Sequence, residues 1–483
     1  MAWKDDNSYK NILKGISFFG SVHVLQILIN VVRGKFVALL LGSAGMGVSA
    51  LFASSSLTLQ RFSSLGLNLA IVKETAAASE DHGKLMATMA VAKKMLTATS
   101  LLATLICILF SKWLSIITFG DNSMQLEFML LGIAVGLTVA FNGKLSILQG
   151  LHEVKAISRA SIVGGLTGLF VGVPLYYFYG INGIVPAMII LALSLFLFYS
   201  RILDRHKNND SSIKFNWKEH KPIVIKLLTL GILLMSNDLL LSLTQYLINI
   251  FVNSRGSTDT VGFYQAANSI TAQYSGIVFT VMAMDYFPRL SKAASDNSAM
   301  REVVNRQLAV TGLIVAPASA LLIMTAPFLI RLLLSSEFLP VTDLMRWMGL
   351  GITFRALMTP LGYISFAKGN KKLFFWMEGV GCNLLTLILS CSFFNLFGLI
   401  GLGYALVADN AICLVIYYIV NRHLYSFRFT PRALAIGAMT IALTSLAFAS
   451  SMLPETVAYI SMGATTLVSG IITIICLRRL LKP

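Results

Sequence analysis

The sequence predicts an all-α polytopic membrane protein: roughly fourteen transmembrane helices, in two tandem six-helix lobes around a central cavity, followed by two extra C-terminal helices. Three observations carry that expectation. Hydrophobic residues make up 56% of the 483-residue chain and charged ones 12%, and the mean hydropathy is +0.76, so no single water-soluble core could absorb the apolar surface. The apolar runs reach the roughly 20 residues that a helix needs to cross a bilayer. Lipid offers no partner for backbone N–H and C=O groups, so long apolar runs are helices. Finally, glycine landmarks recur at a nearly constant offset, the mark of a duplicated unit.

Hydropathy places the spans near 14–40, 45–72, 86–117, 125–150, 155–179, 181–203, 223–253, 259–287, 302–334, 341–366, 373–396, 398–420, 431–452 and 455–478. Most connections are short and built from Gly, Asn, Asp and Ser. The longest, from Leu203 to Pro222, gathers charge and Asn and reads as a hinge. The expected organisation is an N-terminal lobe (1–203, spans one to six), a cytoplasmic linker (204–222), a C-terminal lobe (223–422, spans seven to twelve) and a two-helix appendix (423–483).

Charge sorting sets the orientation. With the N-terminus inside, most of the 38 Lys and Arg residues fall in cytoplasmic segments, while Lys112, Arg255, Arg331 and Arg346 fall on the outer side. No cleavable leader is expected, because the charged stretch after Met1 runs into a span longer than a signal-peptide core. Both termini are expected in the cytoplasm. The formal net charge of +17 then reflects topology and attraction to anionic headgroups, not a nucleic-acid footprint.

The duplication shows best in GINGIVPA from Gly180 and GLIGLGYA from Gly398, 218 residues apart. Gly150 and Gly369 precede spans five and eleven, Gly47 and Gly262 open spans two and eight, and Gly42 and Gly256 close spans one and seven, at offsets of 219, 215 and 214. An even number of spans per unit keeps both lobes in one orientation.

Polar residues form helical stripes. His23, Gln26, Asn30 and Arg33 in span one, and Ser54, Thr58, Arg61 and Asn68 in span two, each share a face. In the second lobe, Asp238, Ser242, Gln245 and Asn249 line span seven, and Tyr264, Asn268, Thr271 and Ser275 line span eight. Such stripes at membrane depth face a wet cavity or glue helices together. For the uncharged members both readings stand. Arg33 and Arg61 point to substrate contact, because an Arg near midspan is costly and retained for function. Lys35 and Lys144 lie near helix ends where they can also snorkel, and Arg355 sits well inside span ten. Among intramembrane acids, Asp238 lies deepest and either carries a coupling proton or pairs with a cation. Asp285 is four residues from Arg289 and is expected to pair with it, Glu378 leans toward Lys371 or Lys372, and Asp409 completes the set.

No Walker motif, HExxH, triad or cluster of metal ligands occurs, so no ATPase or hydrolase chemistry, cofactor or metal is expected. Cys107, Cys382, Cys391, Cys413 and Cys476 lie inside apolar runs without ligand spacing and read as small apolar filler.

With these residues in view, the chain resembles the polysaccharide-exporter branch of the MOP superfamily, the Wzx-type O-antigen and capsule flippases. The resemblance runs through the span-two pattern of Gly47, Leu65-Gly66-Leu67, Ala70 and Lys73-Glu74, and through Gly262, Tyr264, Ala267, Ile270 and Pro288-Arg289 around span eight. Gln149-Gly150 and the Gly180 and Gly398 repeats extend it. It implies two six-helix lobes meeting at a cavity lined by the first two helices of each, and alternating access in the bacterial inner membrane. The implied substrates are undecaprenyl-pyrophosphate-linked oligosaccharides flipped to the periplasmic leaflet, with a polysaccharide polymerase and other assembly proteins as further partners. The pyrophosphate would meet Arg33 and Arg61, where bidentate guanidinium donors suit it. The sugars would meet Gln26, Asn30, Asn68, Gln245, Asn249 and Asn268, with Lys35, Lys144 and Arg355 completing the lining. The alternatives are a MATE-like cation-coupled drug exporter, which would want a net-acidic, aromatic-lined cavity, a lipid II flippase, to which the roughly fourteen-span count is similar, and a non-transporting membrane scaffold for a polymerase.

Overall fold

The structure, a computed structural model, describes residues 6–79, 81–205 and 216–481. It is helical almost throughout, with no strand among the described residues. The chain divides into two compact units, Met1–Tyr246 and Leu247–Pro483. In the first lie α1 (Asp6–Ser64), α2 (Leu67–Ala77), α3 (His82–Leu109), α4 (Ser111–Phe119), α5 (Gln125–Gly150), α6 (Val154–Phe170), α7 (Gly172–Tyr179), α8 (Ile184–Arg205) and most of α9 (Trp217–Arg255). The second holds α10 (Thr258–Ala293), α11 (Asn297–Leu333), α12 (Thr342–Ala367), α13 (Lys371–Phe374), α14 (Asn383–Phe397), α15 (Gly401–Tyr425), α16 (Pro431–Ser450) and α17 (Glu455–Leu481).

Among the described residues, eight helical stretches are long and apolar enough to cross a membrane. A ninth appears if the bent pair Trp217–Ile232 and Met235–Arg255 is one span. Two of the eight, Lys155–Asp204 and Lys371–Tyr425, contain 50 and 55 residues. At about 1.5 Å per residue either is roughly twice the thickness of a hydrocarbon core, and each breaks at a glycine with positive φ, Gly180 or Gly398. Each is therefore a hairpin of two crossings. In the same way α1 bends at Gly42 (φ 65°, ψ −165°). Hairpins of this kind account for part of the difference from the roughly fourteen crossings that hydropathy predicts.

The two hairpins share an internal geometry. Gly180 (φ 56°, ψ −133°) opens a 3₁₀ turn ending at Gly183, and Gly398 (φ 63°, ψ −144°) opens one ending at Ile400, just before Gly401. A Cβ on Gly183 would stand 2.3 Å from the Leu175 carbonyl oxygen, and one on Gly401 2.1 Å from that of Phe393. Both glycines are thus required by the same close backbone approach, at positions 218 residues apart. The repeated string encodes a repeated turn.

In the first unit the core gathers Leu67, Ile71, Leu96, Ile147, Leu148, Tyr199, Leu203 and Leu227. Small residues let its helices approach: the Ser100 hydroxyl donates to the Gly136 carbonyl at 2.7 Å and that of Thr104 to Gly132 at 3.1 Å, joining α3 to α5. On α6, Gly165 admits Ile29 of α1, whose side chain lies 3.1 Å from where a Cβ would stand. The second unit packs around Tyr286, Leu290, Met300, Leu361, Tyr417 and Phe427. Helices α16 and α17 join that unit through Ile323, Leu350, Phe448, Ala458 and Met462. Leu101, Leu109, Phe170, Leu396 and Ile460 are exposed, as lipid-facing side chains should be, and Tyr177, Phe178 and Tyr179 cluster at a helix end like an interfacial aromatic belt.

Candidate functional site

In the first unit the span-two stripe meets the first part of α9. The break between α1 and α2 falls at Leu65-Gly66, both with positive φ, and there the chain runs against α9 so closely that a Cβ on Gly66 would stand 2.0 Å from the Gly231 carbonyl oxygen. That contact sets the register of the neighbouring polar groups. Arg61 Nη1 donates to Asp238 Oδ2 at 2.9 Å, and the two side chains are 43% and 41% exposed. One turn earlier, the Thr58 hydroxyl bonds to the Ser54 carbonyl at 2.9 Å and lies 3.1 Å from that of Ser242. The side-chain oxygens of Asn68 and Asn237 are buried with no hydrogen-bond partner. Unsatisfied buried acceptors of this kind call for a water or a ligand donor. Toward the end of α2, Glu74 takes Lys226 at 2.6 Å and ties α2 to α9.

Arg33 is placed differently. Its Nη2 donates to the Tyr176 hydroxyl at 3.2 Å, and Gly168 on α6 leaves room for the guanidinium. Arg33 and Asn30 line a cavity of about 350 Å³, walled by Gly164, Gly165, Ser161 and Tyr199. The cavity offers a cation, an amide and two hydroxyls, which is the donor set a phosphorylated or polyhydroxylated ligand needs.

The remaining predicted residues fall as follows. Lys35 is half-buried on α1, and the Gln26 and His23 side chains lie outside the described residues. Gln245 is half-buried and Asn249 buried on α9, and Asn268 is half-buried on α10. Lys144 does not share Arg33's cavity. It lines a second one of about 390 Å³, where it contacts the Ser200 hydroxyl and sits 3.5 Å from the Phe196 ring centroid.

The second unit holds its own charged cluster. Arg355 presents accessible surface while its guanidinium lies 5.2 Å from the Phe279 ring centroid, within electrostatic reach of Glu378 and Asp409. Glu378 lies in a π-helical turn, Phe375–Cys382, whose displaced carbonyls at Glu378 and Gly379 accept from Asn383 at 3.1 and 2.8 Å. Its carboxylate accepts from the Tyr417 hydroxyl, not from Lys371 or Lys372, which stay exposed at the start of α13. Asp409 accepts from Thr386 at 2.9 Å. Asp285 pairs with Arg289 as its spacing predicts. Among the described residues no group of His, Cys, Asp and Glu could hold a metal ion.

Residues 22–343, more than half of the chain, match the polysaccharide biosynthesis protein family. The chain belongs to that family. The lipid III flippases of Escherichia coli (strain K12) and Shigella flexneri are each 24% identical to it over 356 residues, covering 71% of this chain and 82% of the relative. Among solved structures, lipid II flippase MurJ in an inward closed conformation aligns with a TM-score of 0.73 at 14% identity, over 97% of this chain and 100% of that one. An inward-facing multidrug resistance MATE family transporter of the MOP superfamily aligns with a TM-score of 0.69 at 16% identity, over 83% and 94%. At such identities the structural likeness is one of fold. The relatives are flippases and transporters rather than enzymes, and this polysaccharide biosynthesis protein is a multi-pass membrane protein.

Within this family member, sequence reading missed the groups that hold each charge. Tyr176, the partner of Arg33, sits in the aromatic run Tyr176–Tyr179 and has no neighbour in sequence to mark it. Tyr417 and Thr386 were equally silent, although the fourfold spacing of Asp409 and Cys413 with Tyr417 places all three on one face of α15.

Proposed function

We propose that this protein flips undecaprenyl-pyrophosphate-linked oligosaccharide repeat units from the cytoplasmic to the periplasmic leaflet, for surface polysaccharide assembly, by alternating access. The observation that carries the reading is the half-exposed Arg61–Asp238 pair in a member of the polysaccharide biosynthesis family. A cation inside a membrane protein is costly unless it is paired or faces a wet cavity, and usually marks function; a pyrophosphate crossing low dielectric needs cationic, bidentate donors. In the empty state Asp238 balances Arg61. Arrival of the pyrophosphate gives the guanidinium a stronger partner and releases Asp238, the candidate coupling group. Arg33, held at the Tyr176 hydroxyl, supplies a second cation, and Asn30, Asn68 and Gln245 of the same unit offer donors to sugar hydroxyls. Both termini are proposed to face the cytoplasm, in keeping with the sorting of Lys and Arg.

The test is complementation of a flippase-deficient strain, read as restored surface polysaccharide, with membrane levels measured alongside. Restoration by the native chain and its loss in Arg61→Ala at normal membrane levels is the expected result. Drug resistance conferred on a pump-deficient host, with no effect on surface polysaccharide, would overturn it. The likeness to lipid II flippase MurJ over nearly the whole chain favours a second reading within the same lipid-linked class; that reading requires the gene to be essential for growth.

A further inference from the structure

We propose that the cavity between α3, α5 and α8 is a binding site for an anionic phospholipid of the phosphatidylglycerol type, separate from the substrate-handling residues. Two neighbouring faces of α5 line different cavities: Phe141 and Leu145 belong to the one that contains Arg33, whereas Leu137, Ala140 and Lys144 line this one. The wall has two characters. Leu96, Leu101, Leu137 and Phe196 supply apolar surface, suited to an acyl chain, and Lys93, Lys144, Ser200 and Asp204 supply charge and a hydroxyl. Lys144 touches the Ser200 hydroxyl and the Phe196 face. An ammonium has three N–H donors, so that contact leaves capacity for a phosphate oxygen.

Depth supports a headgroup. Lys144 lies six residues before the end of α5 at Gly150, and Ser200 five before the end of α8 at Arg205. At about 1.5 Å per residue these are roughly 8 to 9 Å inside the helix ends, on the headgroup side of the hydrocarbon layer, with Lys93 about 16 Å inside the start of α3. Basic pockets between transmembrane helices at that level recognise anionic headgroups. The volume of about 390 Å³ is that of a small-molecule site. Asp204 in the lining selects further: with two lysines it leaves the lining a net single positive charge, which suits a phosphodiester monoanion better than free phosphate. Its carboxylate can accept from glycerol hydroxyls, which phosphatidylglycerol carries.

Native mass spectrometry of the full chain in detergent tests this, with phosphatidylglycerol and phosphatidylethanolamine of identical acyl chains as probes and inorganic phosphate as competitor. The expected result is preferential retention of phosphatidylglycerol, reduced about fivefold in Lys144→Gln and further in the Lys93→Gln, Lys144→Gln double variant. Lys144→Arg should keep the preference, and Ala140→Phe, which fills the cavity without touching its charges, should abolish it. Equal retention of the two lipids by the native chain, or an unchanged preference in Ala140→Phe, overturns the proposal. Displacement by millimolar inorganic phosphate would make this a free-anion site and likewise overturn it. The measurement uses no flippase substrate, so its outcome is independent of the transport reading.

Discussion

Each unit holds a carboxylate near an arginine, but the carboxylates have different hydrogen-bond partners. In the first unit Arg61 and Asp238 face each other, each side chain roughly two-fifths exposed. In the second, Glu378 and Asp409 are each secured by a neutral hydroxyl, from Tyr417 and Thr386, and Asp409 is only 9% exposed. A half-solvated pair can open when a better anion arrives, because water and ligand take over the freed groups at little cost. Carboxylates held by packed hydroxyls cannot be released without leaving a polar group unpaired. The first arrangement suits a site that exchanges partners, the second a site that holds two helices together.

The largest effect expected from that contrast is on transport. Replacing Arg33 and Arg61 together with Ala should remove complementation, and Arg61→Ala alone should lower it roughly tenfold to a hundredfold, the scale of one charged hydrogen bond. Both variants should reach the membrane at normal levels. Arg61→Lys, which keeps the charge but loses the planar fork, should fall between. Full complementation by the double variant would break the comparison.

The second unit should show the reverse. Tyr417→Phe leaves Glu378 without its hydroxyl donor and should lower stability by about 1 to 3 kcal/mol, read as a drop in thermal midpoint of the detergent-purified protein. Transport per folded molecule should fall less than in Arg61→Ala. A Tyr417→Phe, Glu378→Gln double variant should recover part of the midpoint, since it also removes the carboxyl group left without its donor.

Asp238→Asn sharpens the first side of the comparison. It leaves Arg61 without its anion while keeping the shape, so transport should persist with its pH dependence flattened. Unchanged pH dependence in that variant excludes Asp238 as the coupling group. The smallest effect is expected at Glu74 and Lys226, where Lys226 is 60% exposed; Lys226→Gln should change stability by less than about 1 kcal/mol.

Much of the fold was legible in the linear chain because its signals are local. Helical crossings follow from runs of apolar residues, polar stripes from spacings of three and four, and the hairpin turns from the strings at Gly180 and Gly398, whose backbone geometry repeats in the structure. The partner of each charge was not legible, since helix periodicity says which residues share a face but not what that face meets. Arg61 could be placed on a stripe, yet its contact with Asp238, 177 residues away, depends on α9 lying against the Gly66 break. Lys144 shows the same limit at finer scale. One residue turns a helix by about 100°, and that turn, fixed only when α5 packs between α3 and α8, separates Lys144 from the cavity that Leu145 shares with Arg33.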